Sequence, residues 1–220
     1  MKKYYEILSS APLFKNICET DFEKILTCLN AKVKKYKKNS VILMADDKVS
    51  AVGIILFGTA KVIKEDILGH QTILTEVTSG GVFAETLACA DVQKSPVTVL
   101  SVTACEVLFI DYQKIVAPCS SACVFHRKLI ENMLRLIAGK NLMLNQKIEL
   151  ISKRTTKERL MAYFMSQVDK TGGNSFTCTF SRQELADYLC VDRSAMSREL
   201  STMQTSGLIS FSGNKFVVLP

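Results

Sequence analysis

Short runs of β-branched and other apolar residues, separated by turn signals, fill much of the first hundred residues. Residues 49–62 and 97–110 are two such runs, and a turn signal rich in glycine stands between them at residues 79–81. This spacing is typical of strands in a sandwich or barrel. The segment from Thr20 to Glu23 has the pattern of a capping box, which predicts a helix ahead of the strands.

A repeat of apolar positions in steps of four and three follows. Residues 121–152 contain no proline, and the repeat predicts a helix about 45 Å long that pairs with another helix. Its polar member, Asn141, falls at an a-type position, where asparagine fixes register and oligomer state in a parallel pair. We therefore predict a parallel homodimer; the alternative is a long helix packed on its own β domain. The predicted dimer seam is Ile130, Leu134, Ile137, Asn141, Leu144, Ile148 and Ile151.

The last segment predicts short helices and a final hairpin. Capping-box patterns begin at Thr155 and Ser181, and Asp192 can cap one more helix. Two short helices across a tight turn form a helix-turn-helix, and the strand signals around residues 212–214 add a wing. The apolar positions of the two helices are Leu185, Ala186, Leu189, Met196, Leu200 and Met203. The predicted domains are residues 1–118, 119–152 and 153–220.

The second helix of this motif has a face suited to double-stranded DNA. If its apolar residues point inward, the opposite face carries Arg193, Ser194, Ser197 and Arg198. Such a face fits a major groove, because arginine can bind guanine bidentately and serine lets the helix backbone approach closely. Arg182, near the start of the first helix, is placed for a phosphate. The alternative is a winged helix that binds only protein, with its arginines solvated.

Composition narrows the class of protein further. The chain has 220 residues, 48% of them hydrophobic, which excludes intrinsic disorder. There is no apolar run long enough to span a bilayer and no secretory signal, so we expect a cytoplasmic protein without a membrane partner. The net charge of +7 permits an anionic partner without identifying it. No Ser-His-Asp set, P-loop or carboxylate pair is found, so an enzyme is disfavoured.

Two segments resemble the cyclic-AMP receptor protein and fumarate–nitrate reductase regulator family of bacterial transcription factors. Residues 181–200, SRQELADYLCVDRSAMSREL, resemble the family's helix-turn-helix, and residues 103–110, TACEVLFI, resemble the last strand before its dimer helix. The resemblance implies an α+β fold with an N-terminal antiparallel β-roll of the cyclic-nucleotide-binding type, a long dimerisation helix and a C-terminal winged helix-turn-helix. It also implies a homodimer that binds a two-fold symmetric operator and acts with RNA polymerase.

The same resemblance assigns individual positions of the DNA-reading helix. Arg193 and Arg198 match arginines that read guanine or hold phosphate. Ser194 stands where the family usually has glutamate, which puts the usual operator sequence in doubt. Ser197 matches the serine of the fumarate–nitrate branch.

The family's nucleotide pocket corresponds to residues 80–97, and here it departs from the pattern. The expected Gly-Glu pair reads Ala84-Glu85, followed by Thr86, and the expected Arg-Ser pair reads Ser95-Pro96. A buried phosphate without a cation is costly, and Pro96 has no backbone N–H. On the long helix, Asn145 stands within the pair that would reach adenine. We therefore expect a small-molecule effector other than cyclic AMP, or no effector.

Cysteine chemistry offers one further constellation. Cys119, Cys123 and His126 are spaced four and three apart, so a helix would place them on one face. Thiolates and imidazole can bind zinc, copper(I) or haem iron, and a thiol pair could instead form a redox switch. The remaining possibility is a structural role. Near the N-terminus only Cys18 and Cys28 are found, which disfavours an iron–sulfur cluster there.

Two readings from different classes remain. The first is a homodimeric transcription regulator that binds DNA, with a metal, haem or redox sensor as a variant. The second is a regulatory subunit that binds a ligand through its β domain and does not bind DNA.

Overall fold

The computed structural model describes residues 4–66, 68, 71–117 and 124–219. Their backbone divides into two compact units, residues 1–139 and 140–220, and the boundary falls within one long helix. Among the described residues, no helix combines the length and apolar character needed to cross a bilayer.

The first unit is built on two four-stranded antiparallel sheets. One sheet has the strand order β1-β8-β3-β6 and the other β2-β7-β4-β5. The strands are β1 (Lys32–Tyr36), β2 (Val41–Leu43), β3 (Ala51–Phe57), β4 (Ala60–Glu65), β5 (Gln71–Val77), β6 (Val82–Phe83), β7 (Thr98–Ser101) and β8 (Cys105–Asp111). Each of the two apolar runs of the sequence thus forms two consecutive strands, β3 and β4 in the first run and β7 and β8 in the second, and the two strands of each run belong to different sheets.

The first sheet is the middle layer of this unit, because β3 and β8 are buried on both faces. Val52, Ile54 and Leu56 contribute to a core shared with helices, whereas Ile55 and Val107 pack toward the second sheet. This period-two division is why the sequence of β3 is almost continuously apolar. Gly53 lies in this strand because a Cβ there would come within 2.2 Å of the Phe83 ring.

Helices cover the outer face of the first sheet. The short ones are α1 (Tyr5–Ser10), a 3₁₀ turn (Pro12–Phe14), α2 (Glu19–Cys28), α3 (Glu85–Cys89) and α4 (Tyr112–Val116). The long helix α5 (Val124–Ile151) adds Leu129 and Met133 to the same core. The alternative that the long helix packs on its own β domain is therefore correct for the first half of α5.

The predicted capping box at Thr20 is wrong. Helix α2 begins at Glu19, two residues before the start that a Thr20 cap predicts, and its N-cap is Cys18, whose side chain makes no capping hydrogen bond. Thr20 and Glu23 are exposed inside the helix. The start of α2 is set instead by packing, since Ile17 and Phe22 are buried on either side of it.

The second unit contains the winged helix-turn-helix. Helix α6 (Thr156–Thr171) is followed by β9 (Ser175–Thr177), α7 (Arg182–Leu189), α8 (Arg193–Thr205), β10 (Ile209–Ser212) and β11 (Lys215–Val218). The three strands form one antiparallel sheet in the order β10-β11-β9. The α+β fold class predicted from the sequence is confirmed by this architecture.

Both predicted capping boxes in this unit are confirmed. The Thr155 and Ser181 side chains accept from the backbone N–H of Glu158 and Glu184, and each glutamate accepts from the N-cap backbone in return. These bonds satisfy N–H groups that a helix start otherwise leaves without partners. Because the bonds favour the ionised carboxylate, the backbone N–H groups of Thr155 and Ser181 lower the pKa of Glu158 and Glu184, respectively.

The end of α5 shares the core of the second unit. Leu150 is buried there and Ile151 packs against the same cluster. The Lys147 ammonium lies 3.5 Å from the centre of the Tyr188 ring, and burial lowers the pKa of Lys147. Each half of α5 thus buries side chains in the core of a different unit, and the division into residues 1–118, 119–152 and 153–220 stays a prediction.

Candidate nucleic-acid interface

Helix α8 is amphipathic in the way that the apolar spacing predicts. Met196, Leu200 and Met203 are buried in the core of the second unit. Asp192 caps the helix by accepting from the Ala195 N–H at 2.8 Å. The hydrogen bond from the Ser194 hydroxyl, followed by that from the Ala195 N–H, lowers the pKa of Asp192. The helix is therefore anchored on one side and at its start.

The opposite side of α8 is exposed over its whole length. Arg193, Ser194, Ser197 and Arg198 lie on it, as the sequence predicts, and the surface continues through Ser201, Thr202 and Thr205. These three additional residues were missed, although their spacing of three and four from the predicted set was a usable signal.

The hydroxyl groups of Ser194, Ser197 and Thr202 on this face bond to acceptors of the same chain. Ser197 donates to the Arg193 carbonyl at 3.0 Å, and Thr202 donates to the Arg198 carbonyl at 3.1 Å. Ser194 donates to the Asp192 carboxylate at 2.5 Å. These hydroxyl groups donate to acceptors in α8 and its N-cap, so the short side chains lie close to the helix. The face is narrow, carries two arginines and has no large apolar side chain, which suits entry into a major groove.

The turn between α7 and α8 is held by a residue that sequence reasoning missed. Arg159 Nη1 donates to the carbonyls of Leu189 and Cys190, at 3.2 and 2.9 Å, and its Nε donates to the Lys153 carbonyl at 3.0 Å. These bonds satisfy carbonyls that the end of α7 would otherwise leave open. No pattern in the sequence links Arg159 to positions 30 residues away.

Arg182 is not directed away from the protein. Its Nη2 donates to the Gly213 carbonyl at 2.8 Å, and its guanidinium carbon lies 5.0 and 4.7 Å from the centres of the Phe211 and Phe216 rings. Burial lowers the pKa of Arg182. The phosphate contact expected for this residue stays a prediction.

The predicted dimer seam is partly free and partly used within the chain. Leu134, Leu144 and Ile148 are 64%, 61% and 59% exposed. Ile130 is half-buried, whereas Ile137 packs against the core of the first unit and Ile151 against that of the second.

Asn141 lies among the exposed members of the seam. Its Oδ1 accepts from Asn145 Nδ2 at 3.0 Å, one turn further along α5. The exposed apolar residues on either side of it form a surface that a second copy of the helix could cover.

The residues of the expected effector pocket are divided between the two units. Glu85 is buried and accepts from the Thr86 hydroxyl at 2.9 Å. Ala84 precedes it with φ +62°, a conformation that glycine adopts more readily. Asn145 belongs to the second unit and Glu85 to the first.

Ser95 uses its polar groups within the chain. Its hydroxyl donates to the Val97 carbonyl at 2.7 Å, and its N–H donates to the Asp47 carbonyl at 2.9 Å. Pro96 contributes no N–H. Neither Ser95 nor Pro96 therefore has a spare N–H or hydroxyl donor at the position where the family pattern has its phosphate site.

The Cys119, Cys123 and His126 constellation is described only at its histidine, since both cysteines lie outside the described residues. His126 is 5% exposed, and its Nε2 donates to the Lys114 carbonyl at 3.1 Å. Its buried Nδ1 has no hydrogen-bond partner among the described residues. Within the described part of the chain, no group of three histidine, cysteine or acidic side chains is arranged to hold a metal.

Several solved structures have a similar fold. The catabolite activator protein of Thermus thermophilus is 18% identical, with a TM-score of 0.56 over 94% of this chain and 93% of that one. The global regulator CLP of Xanthomonas campestris, described as responsive to c-di-GMP, is 17% identical, with a TM-score of 0.59 over 92% of this chain and 100% of that one. DNR from Pseudomonas aeruginosa is 16% identical, with a TM-score of 0.52 over 100% of this chain and 95% of that one. These similarities show the fold.

Sequence comparisons identify the family. Electron transport regulator A of Shewanella oneidensis is 28% identical over 97 residues, which are 42% of this chain and 39% of that protein, so the match spans about two fifths of the relative. The family model of the cyclic nucleotide-binding domain matches residues 33–121, and that of the Crp-like helix-turn-helix domain matches residues 158–220. Because these two models follow one another along most of the chain and in the order of the two folded units, the chain belongs to the cyclic-AMP receptor protein and fumarate–nitrate reductase regulator family of transcription regulators.

Proposed function

We propose that the protein is a homodimeric, sequence-specific transcription regulator that acts in the cytoplasm. The observation that carries this proposal is the exposed face of α8, where Arg193 and Arg198 stand among short hydroxyl side chains on a helix with a buried opposite side. Each copy would place α8 in a major groove, and the two half-sites would lie about one helical turn of DNA apart. RNA polymerase is the partner through which such a regulator acts.

The dimer is proposed through α5. Its exposed Leu134, Leu144 and Ile148 recur at heptad spacing, and a second copy would remove them from water. The arrangement of the two copies would then be the variable that an effector shifts, since a ligand changes an equilibrium by binding one arrangement better.

Selection of bound duplexes from a random DNA pool tests the proposal. We expect a two-fold symmetric consensus, and affinity for it should fall steeply with salt because phosphate contacts release counterions. Arg198→Ala should weaken binding to that consensus by about 1–3 kcal/mol and relax the preference at one position of each half-site. Gln183, exposed at the start of α7, provides the control variant Gln183→Ala, whose binding should stay close to that of the unaltered protein.

Salt-independent binding, or the absence of any enriched duplex, would favour the regulatory subunit without DNA. In that case the selection should be repeated in the presence of candidate effectors before the DNA-binding function is discarded. The candidates are oxygen, nitric oxide, haem, cyclic AMP and c-di-GMP, the last because of the similarity to CLP.

A second candidate is a regulator that senses a metal or haem near His126. The observation in its favour is the buried Nδ1 of His126, which has no hydrogen-bond partner within the described part of the chain and is close in sequence to Cys119 and Cys123. Elemental analysis and an absorbance spectrum of anaerobically purified protein test it, with His126→Asn as the comparison. A colourless, metal-free dimer that still binds its operator would contradict it.

A further inference from the structure

Arg182 links the first helix of the helix-turn-helix to the tip of the wing. It is the first residue of α7, and its Nη2 donates to the carbonyl of Gly213, in the turn between β10 and β11. The adjoining Asn214 carbonyl accepts from the Cys178 N–H at 2.8 Å. Two successive carbonyls of the wing tip are thus held from outside the hairpin, one by a side chain and one by the backbone.

The guanidinium also covers the aromatic base of the wing. Phe211 and Phe216 are cross-strand partners with ring centres 5.6 Å apart, and Arg182 lies over both. Phe216 is fully buried and packs against Phe164 and Phe176. A planar cation stacked on two rings, with one N–H bonded to a carbonyl, has few rotamers left.

We propose that Arg182 is a positioning residue that fixes the wing relative to α7 before DNA binds, rather than a ligand for a phosphate. Ordering the hairpin in the free protein lowers the entropy lost on binding, so Arg182 would strengthen DNA binding without touching DNA. The proposal rests on the proposed DNA-binding function, and it replaces the phosphate role expected from the sequence.

Lysine and methionine at this position separate the two roles. Arg182→Lys keeps the positive charge but has no planar fork to stack and bond at once, and Arg182→Met removes the charge. If Arg182 positions the wing, both variants should bind the consensus DNA about tenfold more weakly, with the same salt dependence as the unaltered protein. Backbone amides of the β10–β11 hairpin should exchange hydrogen faster in both variants, in the absence of DNA.

A phosphate ligand would give a different pattern. Arg182→Lys would then retain most of the affinity, and Arg182→Met would reduce the slope of log affinity against log salt by about one; either result overturns the proposal. Lys215→Met is the matched control, because it removes an exposed wing cation and should leave exchange of the hairpin amides unchanged. All measurements are made well below the unfolding midpoint of each variant, so that loss of folded protein does not contribute.

The exchange measurement also separates this proposal from the proposed function. Hairpin amides that exchange equally fast in all the proteins would contradict the positioning role even if DNA binds. Faster exchange in both Arg182 variants, together with no DNA binding by the unaltered protein, would retain the positioning role and reject the DNA-binding function.

Discussion

Ala84 holds a backbone conformation that its side chain disfavours. Its φ of +62° precedes the short helix α3, at a position where the family pattern has glycine. A residue with a Cβ loses roughly 1–2 kcal/mol in the left-handed region, and glycine gives back part of this through its more flexible unfolded state. The identity of the residue does not predict this backbone strain, because alanine has no preference for the left-handed conformation.

Ala84→Gly should therefore stabilise the protein, by about 0.5–1 kcal/mol in urea unfolding. Ala90 is the matched control because it is exposed, ends the same helix and has φ −85°. Ala90→Gly should lower stability, since it adds freedom to the unfolded chain without relieving strain. Equal effects of the two substitutions would show that the conformation of Ala84 is not strained.

Glu184 makes the winged helix sensitive to acid. Hydrogen bonds from the Ser181 backbone and side chain lower the pKa of Glu184 below the ordinary value of 4.5. A carboxyl with a depressed folded-state pKa contributes stability that is fully present above its unfolded-state value and is lost as the pH falls through the folded-state value. Glu184→Gln keeps a capping side chain that does not titrate.

Stability measured from pH 7 to pH 3 should decline less in Glu184→Gln than in the unaltered protein, with the difference confined to the region below about pH 4.5. Asp187→Asn, three residues further along the exposed side of the same helix, is the comparison. Parallel pH profiles for the unaltered protein and Glu184→Gln would mean that the capping box does not persist in solution.

Among the helices and strands, α5 contributes side chains to the cores of both units. Leu129 and Met133 are buried in the core of the first unit, Leu150 is buried in that of the second, and Leu134, Leu144 and Ile148 between them are exposed. Heptad spacing placed Ile137 and Ile151 in the predicted dimer seam, and the structure shows that each also packs against a core of its own chain. A periodic pattern identifies an apolar face but does not tell which of two partners covers each residue on it.

Replacing the seam asparagine tests the proposed dimer. Asn141→Leu should stabilise the dimer against dilution, because a polar a-type residue sacrifices stability for register, and it should broaden the distribution of oligomers. Analytical ultracentrifugation and operator binding are the measurements. Gln146→Leu, at an exposed position of the same helix outside the seam, is the control. If Asn141→Leu leaves both size and binding as they were, the seam is not where the copies meet.

The helix-turn-helix was predictable because its signals are local. Each capping box spans four residues. The start of α8 is indicated by Asp192 and its buried face by Met196 and Leu200, all within nine positions. The contacts of Arg159, Arg182 and Ser95 could not be predicted, because their partners are backbone carbonyls far away in the sequence. Arg159 bonds to Leu189, 30 residues away, Arg182 to Gly213, 31 residues away, and the Ser95 N–H to Asp47, 48 residues away. Backbone carbonyls carry no sequence signature, so these bonds follow only from the completed fold.

For the whole molecule, the central question is whether the β domain binds a cyclic nucleotide. The Ser95 hydroxyl and N–H already donate to the Val97 and Asp47 carbonyls, and Pro96 has no N–H. A phosphate bound at this position would therefore be desolvated without a hydrogen bond from either residue. We expect titration with cyclic AMP or cyclic GMP to give no heat and no shift in the unfolding midpoint. Micromolar binding of either nucleotide would contradict this expectation, and Glu85→Gln would then show whether the buried carboxylate takes part.

The burial of Leu150 in the winged-helix core determines where the winged helix can be exchanged for that of another regulator. In a chimera joined at Ser152, Leu150 and Ile151 would come from the recipient protein. The transferred winged helix would then lack two of its own core side chains and Lys147, which covers Tyr188. A junction between Gly139 and Lys140 keeps that core whole. Recombination that preserves a working regulator should therefore be found inside the long helix rather than at its end.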